Sequence, residues 1–173
     1  MKKVKKTLIV VVLIFAGIWI LYLSVYAVPK ASASEEICIA IQENNLQKVQ
    51  SIVEECPESV NALPTTAPWW IRLITEQPSV AYPLQSSCRW GRVDITEYLL
   101  EHGADSNLVS KGTHGSESAL SRAVMRNDEA SIIIVEMLLE AGADKSYIDE
   151  HGKTAYDYAI ENENFELAEM VKP

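Results

Sequence analysis

The reading of the fold turns on YPLQSSCRWGRVDITEYLLEHGADSN, Tyr82 to Asn107. It holds two apolar helical patterns, separated by a glycine and closed by Gly103-Ala104-Asp105. Leu84, Ser87 and Cys88 lie three or four apart, which puts small and apolar side chains on one helical face. Gly91 stops that helix, because glycine enters the left-handed conformation past a helix end without Cβ strain. Val93, Ile95, Leu99 and Leu100 begin a second pattern, and Gly103 ends it in the same way. Two short helices with small residues between them cannot bury their own apolar faces. Such a unit requires copies of itself on either side.

The copies are present. Aligned on the small residue in the middle of the first helix, they fall at Ala40, Ser87, Ala123 and Ala159, with spacings of 47, 36 and 36 residues. Four residues later stand Asn44, Gly91, Asn127 and Glu163. The first three close a helix with positive φ readily, whereas Glu163 does so only at a steric cost. Apolar pairs follow at Ile52-Val53, Leu99-Leu100, Leu138-Leu139 and Met170-Val171, and Gly-Ala-Asp recurs at Gly142-Ala143-Asp144.

This pattern resembles the ankyrin repeat, with its 33-residue period and T-P-L-H-x-A signature. The signature reads Tyr82-Pro83-Leu84-Gln85-Ser86-Ser87, Ser118-Ala119-Leu120-Ser121-Arg122-Ala123 and Thr154-Ala155-Tyr156-Asp157-Tyr158-Ala159, with Glu35-Glu36-Ile37-Cys38-Ile39-Ala40 the most degenerate copy. The resemblance covers 34–173, as repeats at about 34–61, 82–107, 118–146 and 151–173 with an insertion at 62–81. It implies an all-α solenoid of antiparallel helix pairs with projecting finger loops. It also implies a protein-binding function without catalysis.

Ahead of the repeats, residues 1–30 contain five lysines and no acid. Leu8 to Val28 is uncharged over 21 residues, enough as a helix to cross about 31 Å of bilayer. That exceeds the apolar region of a usual signal peptide, and Trp19, Tyr22 and Tyr26 suit an interface. The segment therefore reads as one N-terminal transmembrane anchor, lysines in the cytoplasm and repeats in the periplasm or outside. Ala31-Ser32-Ala33 offers the competing reading, cleavage after Ala33 and a secreted or periplasmic product.

Beyond residue 30 the chain holds 10 Lys+Arg against 24 Asp+Glu, a balance of −14. Nucleic acid is a poor partner for such a domain, since phosphate contacts need cations. A basic protein partner suits it through faster encounter. The acid serves equally well to keep an exported repeat protein soluble.

Ser34, Glu35 and Glu36 read as a helix N-cap with acids in the first turn. Cys38 and Cys56 lie at neighbouring ends of one helical hairpin, so an oxidising compartment would allow a Cys38–Cys56 disulfide; two packed free thiols are the alternative. Cys88 is left over and reads as core. In the insertion, Trp69 to Glu76 reads as a short helix, whose Trp69 and Trp70 either fill core or form a partner-binding patch. Asn127 to Leu138 spans three residues more than Gly91 to Leu99, which predicts a lengthened turn with buried isoleucines. Repeat four reads as a terminal repeat with one wet face.

No cofactor or metal is expected. The histidines are scattered, no phosphate loop or nucleophile elbow occurs, and Asp157 suits a structural hydrogen bond. The function predicted is binding of another protein on the concave face made by fingers and first helices. Candidate contacts are Leu108, Lys111, His114, Tyr147 and His151 on fingers, with Arg89, Trp90, Arg122 and Arg126 on or just after first helices. The competing function is an immunity or inhibitor protein neutralising a toxin in the bacterial envelope.

Overall fold

The computed structural model describes residues 33–64, 81–110 and 116–173. Among the described residues the regular structure is entirely helical. Helix α1 (33–42) pairs with α2 (Leu46–Glu55), followed by a 3-10 turn at Pro57–Asn61. Then come α3 (Pro83–Trp90) with α4 (Val93–Glu101), α5 (Ala119–Arg126) with α6 (Glu129–Glu140), and α7 (Ala155–Glu161) with α8 (Phe165–Val171). First helices pack on first helices, α3 on α5 and α5 on α7. Second helices pack on second helices, α2 on α4, α4 on α6 and α6 on α8. This is the two-layer stack that the repeated pattern requires.

The small aligned residues explain how close the layers come. Ala40, Ser87, Ala123 and Ala159 are all fully buried. Around them one continuous core includes Ile37, Ile41, Leu84, Ile95, Leu99, Leu120, Ile134, Leu138 and Leu167. Each large side chain removed from water contributes about 1.5–3 kcal/mol, so the stack is held mainly by this seam.

The helix ends form as the glycines and asparagines predict. Asn44, Gly91 and Asn127 have φ of 56°, 63° and 56°. The amide of Arg92 donates to Ser87 O at 3.0 Å and that of Gly91 to Cys88 O at 3.1 Å, the paired bonds of a left-handed helix stop. Gly103-Ala104 and Gly142-Ala143 repeat this at the second helices, Ala104 to Leu99 O and Ala143 to Leu138 O both at 2.9 Å.

Glu163 takes the same turn despite its steric cost: its φ is 55°. The bond from Asn164 to Ala159 O, 3.0 Å, needs the same geometry as in the other copies, and tertiary packing imposes it. An L-residue with a Cβ loses roughly 1–2 kcal/mol there. Because its side chain is exposed, Glu163→Asn is expected to raise stability by about 0.5–1 kcal/mol. A denaturation midpoint at or below that of the parent would refute the strain.

Two expectations are corrected. Ser34 is not a cap. It lies inside α1, fully buried, and its hydroxyl donates to Ala62 O, because positions 34, 37 and 41 share the buried face. The additional residues of repeat three do not lengthen the turn either. They lengthen α6, which starts at Glu129, two residues after Asn127, as α4 starts two after Gly91. Asp128 and Ser131 form a reciprocal capping box that starts the helix early, with Ser131 N to Asp128 Oδ1 at 3.1 Å and Asp128 N to Ser131 Oγ at 3.1 Å. The isoleucines consequently divide. Ile134 is fully buried, whereas Ile133 is 45% exposed.

Repeat four ends the described stack with apolar residues uncovered. Ile160 occupies the place of Ile41, Cys88 and Val124, all fully buried, and is 41% exposed.

The Cys38–Cys56 disulfide is also corrected, for all three cysteines are free thiols. Cys38 turns toward the next repeat, its Sγ 3.6 Å from Ser86 Oγ and 3.7 Å from Ala81 O, while Cys56 caps the end of α2. Burial pushes the Cys38 thiol up to about 11, against the lowering effect of the Ser86 hydroxyl, and the Cys88 thiol up to about 12. Thiolate is the reactive form. Native protein is therefore expected to take up iodoacetamide at Cys56 well before Cys38 and Cys88, and all three should react on unfolding without reductant. Recovery of only one alkylated cysteine after unfolding would restore the disulfide.

Leu8–Val28, the Trp69–Glu76 segment, Lys111 and His114 lie outside the described residues. Among the described residues no helix is long and apolar enough to cross a membrane.

Candidate protein-binding face

A binding face built from loops and helix ends needs a rigid frame. Here polar side chains pin each repeat to the next at two levels. At the finger level, Asn61 Nδ2 donates to Gly103 O at 2.8 Å and its Oδ1 accepts from Asp105 N at 2.9 Å. One repeat on, Asn107 does the same to Gly142 O at 3.0 Å and Asp144 N at 2.8 Å. The recurring Gly-Ala-Asp is thus the docking strip for an asparagine of the preceding repeat. Each asparagine satisfies a carbonyl and an amide that a helix terminus leaves unpaired.

At the opposite level, side chains close the C-terminal ends of first helices across the repeat boundary. Arg92 Nε and Nη2 donate to Ile41 O and Gln42 O at 3.2 and 3.1 Å. Arg126 Nη1 donates to Arg89 O at 3.2 Å, and its Nε pairs with Asp128 at 2.7 Å. A cation at a helix C-terminus is favourable for the dipole. Gly91 leaves room for this arm, since a Cβ there would stand 2.3 Å from Arg126 Nε.

The fingers rest on the first helices. Gln85 is 1% exposed and braces the base of the second finger, its Nε2 donating to Leu108 O at 3.1 Å and Glu117 O at 2.8 Å. Its Oε1 accepts from Tyr82 N at 3.0 Å. Tyr147 spans to the same finger, its hydroxyl donating to Ser116 O at 2.8 Å.

In the next finger the carboxylate of Asp149 accepts from His151 N, Lys153 N and the Tyr158 hydroxyl. Burial would raise the Asp149 pKa, but these donors outweigh it and hold the group below its ordinary 3.8. A depressed folded pKa means the stabilisation is complete well above 3.8 and is lost as pH falls through the folded value. Asp149→Asn is therefore expected to be less stable than the parent at pH 7, with the gap closing at about pH 3 or below. A gap that stays constant down to that pH would rule out the carboxylate as the source.

The sequence candidates separate on this frame. Arg89 and Trp90, at the end of α3, are exposed, Trp90 at 42%. Leu108 and Tyr147 are half-buried finger residues, and His151 is exposed. Arg126 is not a free contact residue; its guanidinium is committed to Asp128 and to the end of α3. Arg122 is 5% exposed, with its Nε 3.3 Å from Glu117 Oε2. Trp69, Trp70, Lys111 and His114 lie outside the described residues. Sequence reasoning missed Gln85, Asn61 and Asn107. Gln85 carried a signal, standing at the histidine position of the T-P-L-H-x-A signature. It also missed Ile39 and Ile148, exposed at 43% and 61% on α1 and a finger.

Between the two fingers lies a pocket of about 200 Å³ walled by Val109, Leu120 and Tyr147, with Asn107 and Asp144 at its polar side. This is smaller than the roughly 300–1,000 Å³ of small-molecule sites, and it accommodates one side chain better than a cofactor. Among the described residues no three His, Cys, Asp or Glu side chains converge as a metal site would require.

Residues 81–111 match the ankyrin repeat family profile. Over 96 residues the chain is 28% identical to diacylglycerol kinase iota of Mus musculus, and over 91 residues it is 31% identical to SH3 and multiple ankyrin repeat domains protein 2 of Homo sapiens. These matches take in 56% and 53% of this chain, but only 9% and 5% of the relatives' own length. The profile window takes in α3, α4 and the start of the second finger. An ankyrin repeat thus lies at residues 81–111, within an all-helical stack consistent with the ankyrin-repeat fold.

Proposed function

We propose that this chain is a membrane-anchored, exported ankyrin-repeat protein that holds another protein on the face formed by its first helices and fingers, and that it performs no catalysis. The anchor and export rest on the sequence, the lysine-flanked apolar run Leu8–Val28. One observation supports the binding face above the rest. The exposed Arg89 and Trp90 sit on a backbone pinned to both neighbouring repeats, through Arg126 on Arg89 O and Arg92 on Ile41 O. Aromatic and arginine side chains dominate interface hot spots, and pre-organisation lowers the entropy lost on binding.

The test is photo-crosslinking in intact cells. A photoreactive residue at position 90 or 148 should give a discrete crosslinked protein band, and one at position 97 or 136 on second helices should not. Equal crosslinking from both faces would defeat the reading. An alkaline phosphatase fusion to the C-terminus should be active if the repeats are exported, and inactive if they are not.

A further inference from the structure

The two middle first helices differ in charge from the second helices behind them. Second helices α2, α4, α6 and α8 carry ten Asp or Glu against one lysine, Lys48. All ten acids are exposed. First helices α3 and α5, in the middle of the stack, carry three arginines and no acid. Acids also stand on α1, α7 and the fingers, among them Glu35, Glu36, Asp157, Glu161, Asp105 and Asp149, so the basic patch is confined to α3 and α5.

Of the three arginines, one is free at the surface and one is buried with its hydrogen bonding incomplete. Arg126 is committed to Asp128 and the end of α3. Arg89 is exposed and forms no ion pair among the described residues. Arg122 is 5% exposed, and its buried Nε makes no hydrogen bond although Glu117 stands 3.3 Å away. A buried donor without a well-formed bond is unfavourable. Burial draws the Arg122 pKa down; Glu117 pushes it back up, and like-charge Arg89 adds to the lowering. Apolar surface lies next to Arg89 in Trp90, 42% exposed on the same helix.

We infer that the partner's contact segment is acidic, with an Asp or Glu carboxylate on Arg89, beside the charge of the buried Arg122, and an adjacent apolar side chain on Trp90. The inference rests on the binding face proposed above, and it reverses the partner charge that net composition suggests. Carboxylates pair with guanidinium through two parallel bonds, which the exposed Arg89 is free to form. The acidic second helices face away and would repel the same segment, so they restrict where it binds.

Selection of a random dodecapeptide phage library on the full chain, in mild detergent, tests this. Enriched peptides should carry Asp or Glu beside an aromatic or aliphatic residue, and should bind at least about tenfold more weakly to Arg89→Glu. Arg89 is exposed, so that variant should keep the parent's melting temperature, and rising salt should weaken the parent's binding. Basic or charge-neutral peptides that lose binding in Trp90→Ala would overturn the acidic partner while leaving the face intact. Peptides indifferent to Arg89 and Trp90 but lost in Glu97→Lys would overturn the face itself. An absence of enrichment would overturn both.

Discussion

Gln85→Leu is expected to lower the unfolding free energy by about 2–3 kcal/mol, and to loosen the second finger more than the helices. The side chain is buried, and its amide reaches both strands of the finger base, Leu108 O and Glu117 O, while its oxygen holds Tyr82 N. Leucine is close to glutamine in volume, so it leaves little cavity. The loss comes from two carbonyls and an amide with no partner in a place water reaches poorly. Hydrogen exchange should therefore speed up at the finger flanks before it does at α4 or α6. Unchanged exchange at residues 108–110 and 116–118, with unchanged stability, would show that another contact braces the finger.

Ile134→Ala should cost about 3 kcal/mol, and Ile133→Ala less than about 0.5 kcal/mol. Ile134 is fully buried between the layers, and its truncation leaves a cavity that packed helices cannot close. Ile133 is 45% exposed on the outer side of α6. The contrast tests how the extra residues of repeat three are absorbed. In a lengthened turn both isoleucines would be buried and both truncations costly. Within a longer helix, three additional residues make most of one turn and return the apolar stripe to the core. Equal destabilisation by the two substitutions, measured by urea denaturation, would contradict the observed register.

The stack was legible because its signals are local. Gly91, Gly103 and Gly142 mark helix ends by their own backbone freedom, and φ of 63°, 82° and 79° confirm them. The Ser131-to-Val135 run was harder. Its apolar residues satisfy a buried turn as well as a helix, and only the capping box between Asp128 and Ser131 decides. Glu163 shows the opposite case. Its intrinsic preference argues against positive φ, but packing with the preceding repeat overrides preference.

The candidate face was less legible. Arg89, Trp90, Arg122 and Arg126 look alike on a helical wheel as polar or amphipathic residues of first helices. Their roles separate through tertiary partners and through burial. Arg126 is diverted to Arg89 O, Arg122 is buried beside Glu117, and Arg89 and Trp90 remain exposed.

The amino-acid order by itself determined the helical hairpin, its repetition and the places where each helix stops, since these depend on residues within one or two turns of each other. Only the tertiary structure decided which asparagine grips which Gly-Ala-Asp, which arginine is spent on a neighbouring helix end, and that the arginines of α3 and α5 sit in front of acidic second helices. Those outcomes depend on how one hairpin is laid against the next. The rotation between stacked units sets them, and no short window of residues records it.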